Sequence, residues 1–229
     1  MYKRQFEYTA YYDNQSNWNN GALYVGAALI AVNADLTGKY QVKDSTRVVA
    51  DEVFRACRLT EVLLPSGLVN IGGDYAFAYC NNLESIIIPD TVTEMGSGVF
   101  EACRNLKKVV LSNALTVVPS YAFENCENLE SIYMPDSVTE IGEYAFYQCA
   151  ALEKVAFSES LTTIGEMAFG ECSKISSIRL PNSVKVIENQ AFYECTGLKS
   201  LTLSTNLVSI GDCAFQDNCL STCLLYTSP

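Results

Sequence analysis

Eight phenylalanines recur at a single spacing: Phe54, Phe77, Phe100, Phe123, Phe146, Phe169, Phe192 and Phe215 are each 23 residues apart. Seven carry a cysteine three residues on, namely Cys57, Cys80, Cys103, Cys126, Cys149, Cys172 and Cys195; Asn218 takes that place in the last. A fixed period in the twenties implies a solenoid, one coil per repeat, each stacked on its neighbours. A coil this short cannot bury its apolar flank by itself, so stability must come from stacking. The 229 residues are 49% hydrophobic and 18% charged, which suits one such array and excludes a disordered tail.

The stretch from Cys126 to Phe146 shows the unit most clearly. Leu129, Ile132, Met134, Val138, Ile141, Ala145 and Phe146 recur as apolar positions in other units. Ile132 and Met134 alternate with exposed neighbours, the spacing of a strand. Pro135 ends it, because proline has no N–H for a ladder. Val138 to Ile141 fits a second short extended piece. Gly142 to Cys149 reads as a turn followed by a short helical turn, with Ala145, Phe146 and Cys149 pointing inward. Register slips are corrected locally: one residue is missing between Cys57 and Leu59 and is regained in Ile71-Gly72-Gly73-Asp74. A two-coil alternation is superimposed. The strand-end residue reads Pro89, Ser112, Pro135, Ser158, Pro181, Ser204, and three places on come Val92, Leu115, Val138, Leu161, Val184, Leu207. Growth by duplication of a 46-residue pair would leave that pattern.

Residues 83–103 (LESIIIPDTVTEMGSGVFEAC), 129–149 (LESIYMPDSVTEIGEYAFYQC) and 152–172 (LEKVAFSESLTTIGEMAFGEC) resemble the BspA-like (Treponema pallidum type) leucine-rich repeat family. The resemblance covers nearly all of Arg47–Phe215. It implies a leucine-rich-repeat solenoid of stacked 23-residue coils with short parallel strands and short helical turns. It also implies a surface-exposed or secreted bacterial protein associated with adhesion to host proteins, cells or glycans. The family brings no catalytic residues, and none are assigned.

The remaining segments divide as follows. Residues 6–46 read as a partial coil plus an insertion of a kind seen within such arrays. Phe6 would be the phenylalanine of an earlier coil, Thr9 would replace its cysteine, and Leu23–Val25 and Ala28–Val32 would form a short strand pair. Residues 47–218 are the repeats, and 219–229 are a tail. Met1–Gln5 back-translates as GTG TAT AAG AGA CAG, and Cys223–Pro229 as TGT CTC TTA TAC ACA TCT CCG. The two are reverse complements over most of their length and resemble the end of a sequencing-library adapter read in frame. Residues 1–5 and 223–229 are therefore expected to be artefact, and the chain a metagenomic fragment. No signal peptide can be judged in such a fragment, and no stretch has the 18 or so apolar residues of a membrane helix.

Composition narrows the chemistry. Lys plus Arg is 15 against 26 Asp plus Glu, a net charge of −11, which repels phosphate backbones and argues against a nucleic-acid partner. With no histidine, Ser-His-Asp and Cys-His nucleophiles and imidazole metal sites are ruled out. Seven cysteines at one inward position read as reduced packing thiols. Stacking sets their Cβ atoms about 4.8 Å apart, wider than a disulfide's usual spacing of roughly 3.5–4.5 Å. Cys213 and Cys219 are less regular, and a bond between them is left open. Gly96-Ser97-Gly98 occupies the same turn as Gly142-Glu143-Tyr144, so it is not a phosphate loop. Acidic pairs such as Glu140 and Glu143 read as a solvated face. No cofactor and no metal are expected.

The outward strand positions carry the functional signal. One row reads Glu61, Ser85, Lys108, Ser131, Lys154, Ser177, Ser200, and the next Leu63, Ile87, Val110, Tyr133, Ala156, Arg179, Thr202. The second is an apolar stripe ending in Arg179. Lys107, Lys108, Lys154, Arg179 and Lys199 set positive charge on this face of an acidic chain. An apolar stripe rimmed by charge is a binding-surface signature, although strand propensity alone also favours Val, Ile and Tyr. The candidate binding residues are Ile87, Lys108, Val110, Ser131, Tyr133, Lys154 and Arg179. The expected function is a non-enzymatic recognition or adhesion module, extracellular or at the cell surface, for a protein or glycan ligand. A structural spacer and an intracellular protein–protein scaffold are the alternatives. A β-helix polysaccharide lyase is disfavoured because outward positions lack clustered Asp.

Overall fold

The computed structural model describes residues 5–225. Of the residues read as adapter, 1–4 and 226–229 lie outside the described residues. The chain is a solenoid of 23-residue coils whose short strands run parallel from coil to coil. Around Phe146 the first strand is Ser131–Tyr133 and the second is Glu140–Ile141. First strands pair with first strands, as Ser131 with Lys154, and second with second, as Glu140 with Thr163. Leu129, Ile132, Val138, Ile141, Ala145 and Phe146 are fully buried and Met134 nearly so.

Phe54 through Phe215 form one internal column. Neighbouring ring centroids lie 4.7–5.5 Å apart and the planes tilt by 4–24°. Tyr40 meets Phe54 edge-on at 5.9 Å and extends the column on the N-terminal side. Phe6 does not take that place: it is half-buried against the core, and its ring faces Tyr11. Its local turn does follow the repeat. The Thr9 N–H donates to the Phe6 carbonyl as the Cys57 N–H does to Phe54, and Tyr8, like Ala56, has a positive φ.

The inward cysteines do more than fill space. Each thiol from Cys80 to Cys195 donates to the carbonyl of the phenylalanine 26 residues earlier, with S···O distances of 2.9–3.2 Å. Each of these carbonyls, buried beside the ring column, already accepts the N–H of the cysteine three residues on, and the thiol of the next coil fills its second lone pair. The nine cysteines whose side chains are described are free, including the exposed Cys213 and Cys219.

The segment before each cysteine is a turn and not a helical one, which corrects the expectation. The N–H groups of Tyr144, Phe146 and Gln148 donate to the carbonyls of Glu166, Ala168 and Gly170 on the next coil. Those of Ala145, Tyr147 and Cys149 close local turns onto Gly142, Tyr144 and Phe146. A helix would use every N–H internally; here alternate donors face the neighbouring coil. The alternation needs left-handed residues at Tyr144 (φ 54°) and Gln148 (φ 57°), and these positions recur around the array. Such φ values are unfavourable for side chains of this size. The stacked hydrogen bonds hold them.

Among the described residues the second-strand ladder has one interruption, between Glu94–Met95 and Val117–Val118. At the equivalent place Gly142 N–H donates to Val118 and Gly165 N–H to Ile141. Pro119 has no N–H to give Met95. At the N-terminal side Ala22–Val25 and Ala28–Val32 form an antiparallel pair, and the latter adds in parallel to Val48–Val49. It occupies the second-strand position of a preceding coil. At the other end Thr222–Leu225 pairs in parallel with Ser200–Leu203.

Consecutive coils join tightly and loosely by turns, in step with the proline–serine alternation from Pro89 onward; the Pro65 coil is the exception, a proline coil followed by a loose junction. After a proline coil, the N–H groups of Ile88, Met134 and Leu180 donate to Val110, Ala156 and Thr202 on the next coil. Leu111 and Phe157, before Ser112 and Ser158, make no such bond among the described residues. Instead Ser112 Oγ reaches back to the Val92 carbonyl at 2.6 Å, and Ser204 Oγ to Asn182 at 3.2 Å. The coils of Ser112 and Ser204 are thus tied backwards through the serine itself, and among the described residues the junctions after Leu111 and Phe157 lack the forward backbone bond. First strands follow suit: Ser85–Ile87 pairs fully with Lys108–Val110, and Ser131–Tyr133 with Lys154–Ala156. Lys108–Val110 joins Ser131–Tyr133 through a single pair. No ladder joins Arg58–Leu63 to Ser85–Ile87, or Lys154–Ala156 to Ser177–Arg179.

Candidate functional site

The outward rows lie on the face of the four-strand block Ser85–Ile87, Lys108–Val110, Ser131–Tyr133, Lys154–Ala156. The central residue of each strand turns inward, so its neighbours face outward. Ile87 is 68% exposed, Val110 42% and Tyr133 62%. At the loose junction between the serine coil of Val110 and the proline coil of Tyr133 the face opens into a groove of about 520 Å³. Five predicted residues line it: Ile87, Lys108, Val110, Ser131 and Tyr133. A second concavity, about 320 Å³, lies at the loose junction between Leu63 and Ile87.

Lys154 is on the same sheet, paired with Ser131, but outside the groove wall. Arg179 belongs to a different ladder, with Ser200–Leu203, so the stripe is not one uninterrupted sheet from Leu63 to Thr202. The far wall was missed by reasoning from outward positions alone. It consists of strand-end residues, chiefly Pro89, Asp90, Asn113 and Pro135. Its signal was the recurring proline, read there only as a strand breaker.

Charge on this face is partly cancelled. Lys107 Nζ lies 3.2 Å from Glu84, Lys39 3.0 Å from Glu61, and Lys174 3.8 Å from Glu153. Lys108 and Lys154 form no ion pair among the described residues. Their ammonium groups are thus available to a ligand. Across the groove, Asp90 Oδ1 accepts the Asn113 N–H at 3.0 Å.

The turn side is chemically different. Tyr79 and Tyr121 hydroxyls donate to Glu101 and Glu143 at 2.6 and 3.0 Å, and Tyr147 donates to Glu171. Burial, with Glu143 beside it, pushes the Tyr121 phenol up to about 12. Burial, then Glu101, raises the Glu124 carboxyl. These acids are engaged with phenols and amides. No group of His, Cys, Asp and Glu able to hold a metal ion occurs among the described residues. No helix described is long and apolar enough to cross a membrane.

Parallel short strands, an inward leucine and phenylalanine ladder and a single outward strand face define a leucine-rich-repeat solenoid. The chain belongs to the BspA type leucine rich repeat family, whose model matches residues 35–152 and 116–228. Three solved structures share the fold. The leucine rich repeat protein of T. pallidum is 24% identical, with 80% of this chain and 77% of that one covered and a TM-score of 0.60. A leucine rich cell surface protein of Faecalibacterium prausnitzii is 24% identical over 84% of this chain, with a TM-score of 0.54. A leucine-rich repeat protein of Eubacterium ventriosum is 20% identical over 92% of this chain, with a TM-score of 0.64. The chain spans 60% of the F. prausnitzii protein and 50% of the E. ventriosum one. No curated protein matches.

Proposed function

We propose that this chain is a non-enzymatic recognition module of a cell-surface or secreted bacterial protein, and that it binds a protein or glycan ligand through the strand face. One observation carries the reading: three exposed apolar side chains, Ile87, Val110 and Tyr133, share a groove edged by Lys108 in a chain of net charge −11. Exposed apolar surface rimmed by charge is what binding patches offer. The family and the F. prausnitzii protein, described as a leucine rich cell surface protein, support a surface setting.

The test replaces Tyr133, Lys154 and Arg179 together with Ala and measures attachment to epithelial cells and to immobilised matrix. Attachment should be lost. Unchanged attachment removes the strand-face reading and favours a spacer, which should respond only to deletion of a 46-residue coil pair.

A further inference from the structure

The strand face repeats every two coils, and that period constrains the ligand. Loose junctions open concavities at Leu63/Ile87 and at Val110/Tyr133, two coils apart. Lys108 and Lys154 are also two coils apart in one outward row, with Ser131 in register between them. At the strand spacing of a sheet, two coils rise by about 10 Å. The exposed Tyr133 ring sits on the coil midway between the two ammonium groups.

We infer that the strand face from this groove to Lys154 on the adjoining strand binds an acidic polysaccharide lying along the solenoid axis, with one carboxylate or sulfate per disaccharide. The inference rests on the strand-face reading above. Such a chain repeats its charge every second sugar, which matches the step from Lys108 to Lys154. The sugar between two charged units would meet Tyr133, whose ring presents an apolar face and a polar hydroxyl edge, the combination that packs against a pyranose. Ser131, between the lysines, offers a hydroxyl to ring substituents. Charge complementarity selects the acidic ligand: the two lysines form no ion pair among the described residues, whereas Lys107 beside them is held by Glu84. Asp90, the acid in the groove wall, has one oxygen occupied by the Asn113 N–H. An acidic peptide in extended form carries side chains on one face every second residue, about 7 Å apart. That step does not match the lysine row.

The experiment uses the whole chain and three probes in calorimetry: hyaluronan octasaccharide, its carboxyl-reduced neutral counterpart, and a polyglutamate peptide of equal charge. The octasaccharide should bind and the neutral form should not. Lys108→Gln and Lys154→Gln should each weaken binding roughly fivefold, Tyr133→Ala should weaken it similarly, and rising salt should weaken it further. Thermal unfolding of each variant confirms that the fold is kept. Equal binding of the acidic and neutral sugars, or lysine variants without effect, overturns the inference. Polyglutamate binding with the same lysine dependence, and no sugar binding, also overturns it and leaves the strand face as a protein site. If no probe binds while the triple Ala variant still loses cell attachment, the polysaccharide falls and the strand-face reading stands. If that attachment also persists, both fall.

Discussion

The Asn218 side-chain amide donates to the Phe192 carbonyl at 3.0 Å, the bond that Cys195 Sγ makes to Phe169 at the same distance one coil earlier. The one coil without an inward cysteine keeps the donor and changes the atom that carries it. The position therefore supplies a hydrogen bond to a buried carbonyl as well as a small side chain.

Cys149→Ala tests this directly. The substitution removes one of two donors to the Phe123 carbonyl, the thiol 3.2 Å away, and leaves the Cys126 N–H at 3.1 Å, so the cost is that of one hydrogen bond, about 0.5–1.5 kcal/mol. Urea unfolding measures it. Stability equal to the parent chain would reduce the thiol to a space filler.

The same thiols set an alkaline limit. Burial pushes the Cys195 thiol up to about 12 and raises Cys126, Cys149 and Cys172 as well. Unfolded thiols lose their proton near the ordinary value of about 8.5. The folded state holds more protons above that value, so stability is full below it and falls as pH rises toward the folded values. Urea midpoints should fall between pH 8.5 and 11. Replacing Cys126, Cys149 and Cys172 with Ala should flatten that slope. A slope independent of the thiols would refute their part in it.

Position in the stack should govern the cost of losing a ring. Phe146 is fully buried between Phe123 at 5.2 Å and Phe169 at 5.1 Å, so Phe146→Ala should cost about 3–5 kcal/mol. Phe215 is half-buried and has a stacked ring on one side, Phe192 at 5.3 Å. Phe215→Ala should cost less than half as much by thermal or urea unfolding. Equal costs would contradict nearest-neighbour stacking.

Pro119→Gly supplies the donor that the second-strand ladder lacks between Met95 and Val118. The amide introduced at position 119 should exchange hydrogen as slowly as that of Gly142, which donates to Val118 at 2.8 Å. Fast exchange there would mean that something other than the missing N–H keeps these strands apart.

Much of this is legible in the amino-acid sequence. The 23-residue spacing placed Phe54 through Phe215 in one column, and the alternation at Ile132 and Met134 placed the first strand. Both follow from side-chain identity along a local, repeating stretch. The helical turn at 144–149 was misread for a related reason. Which partner an N–H chooses is invisible when the residues suit a turn or a helix equally, and the next coil decides it.

The sequence by itself determined the period, the inward set and the outward rows holding Ile87, Lys108, Val110, Ser131, Tyr133, Lys154 and Arg179, because these depend only on which residue recurs where. Tertiary structure alone decided that Ser112 ties its coil backwards, that the junction after Val110 is loose, that a groove opens there with Pro89 and Pro135 in its wall, and that Arg179 falls on another ladder. Those outcomes depend on whether a backbone donor of one coil lies within reach of an acceptor on the next. That is a relation between coils, and no single repeat contains it.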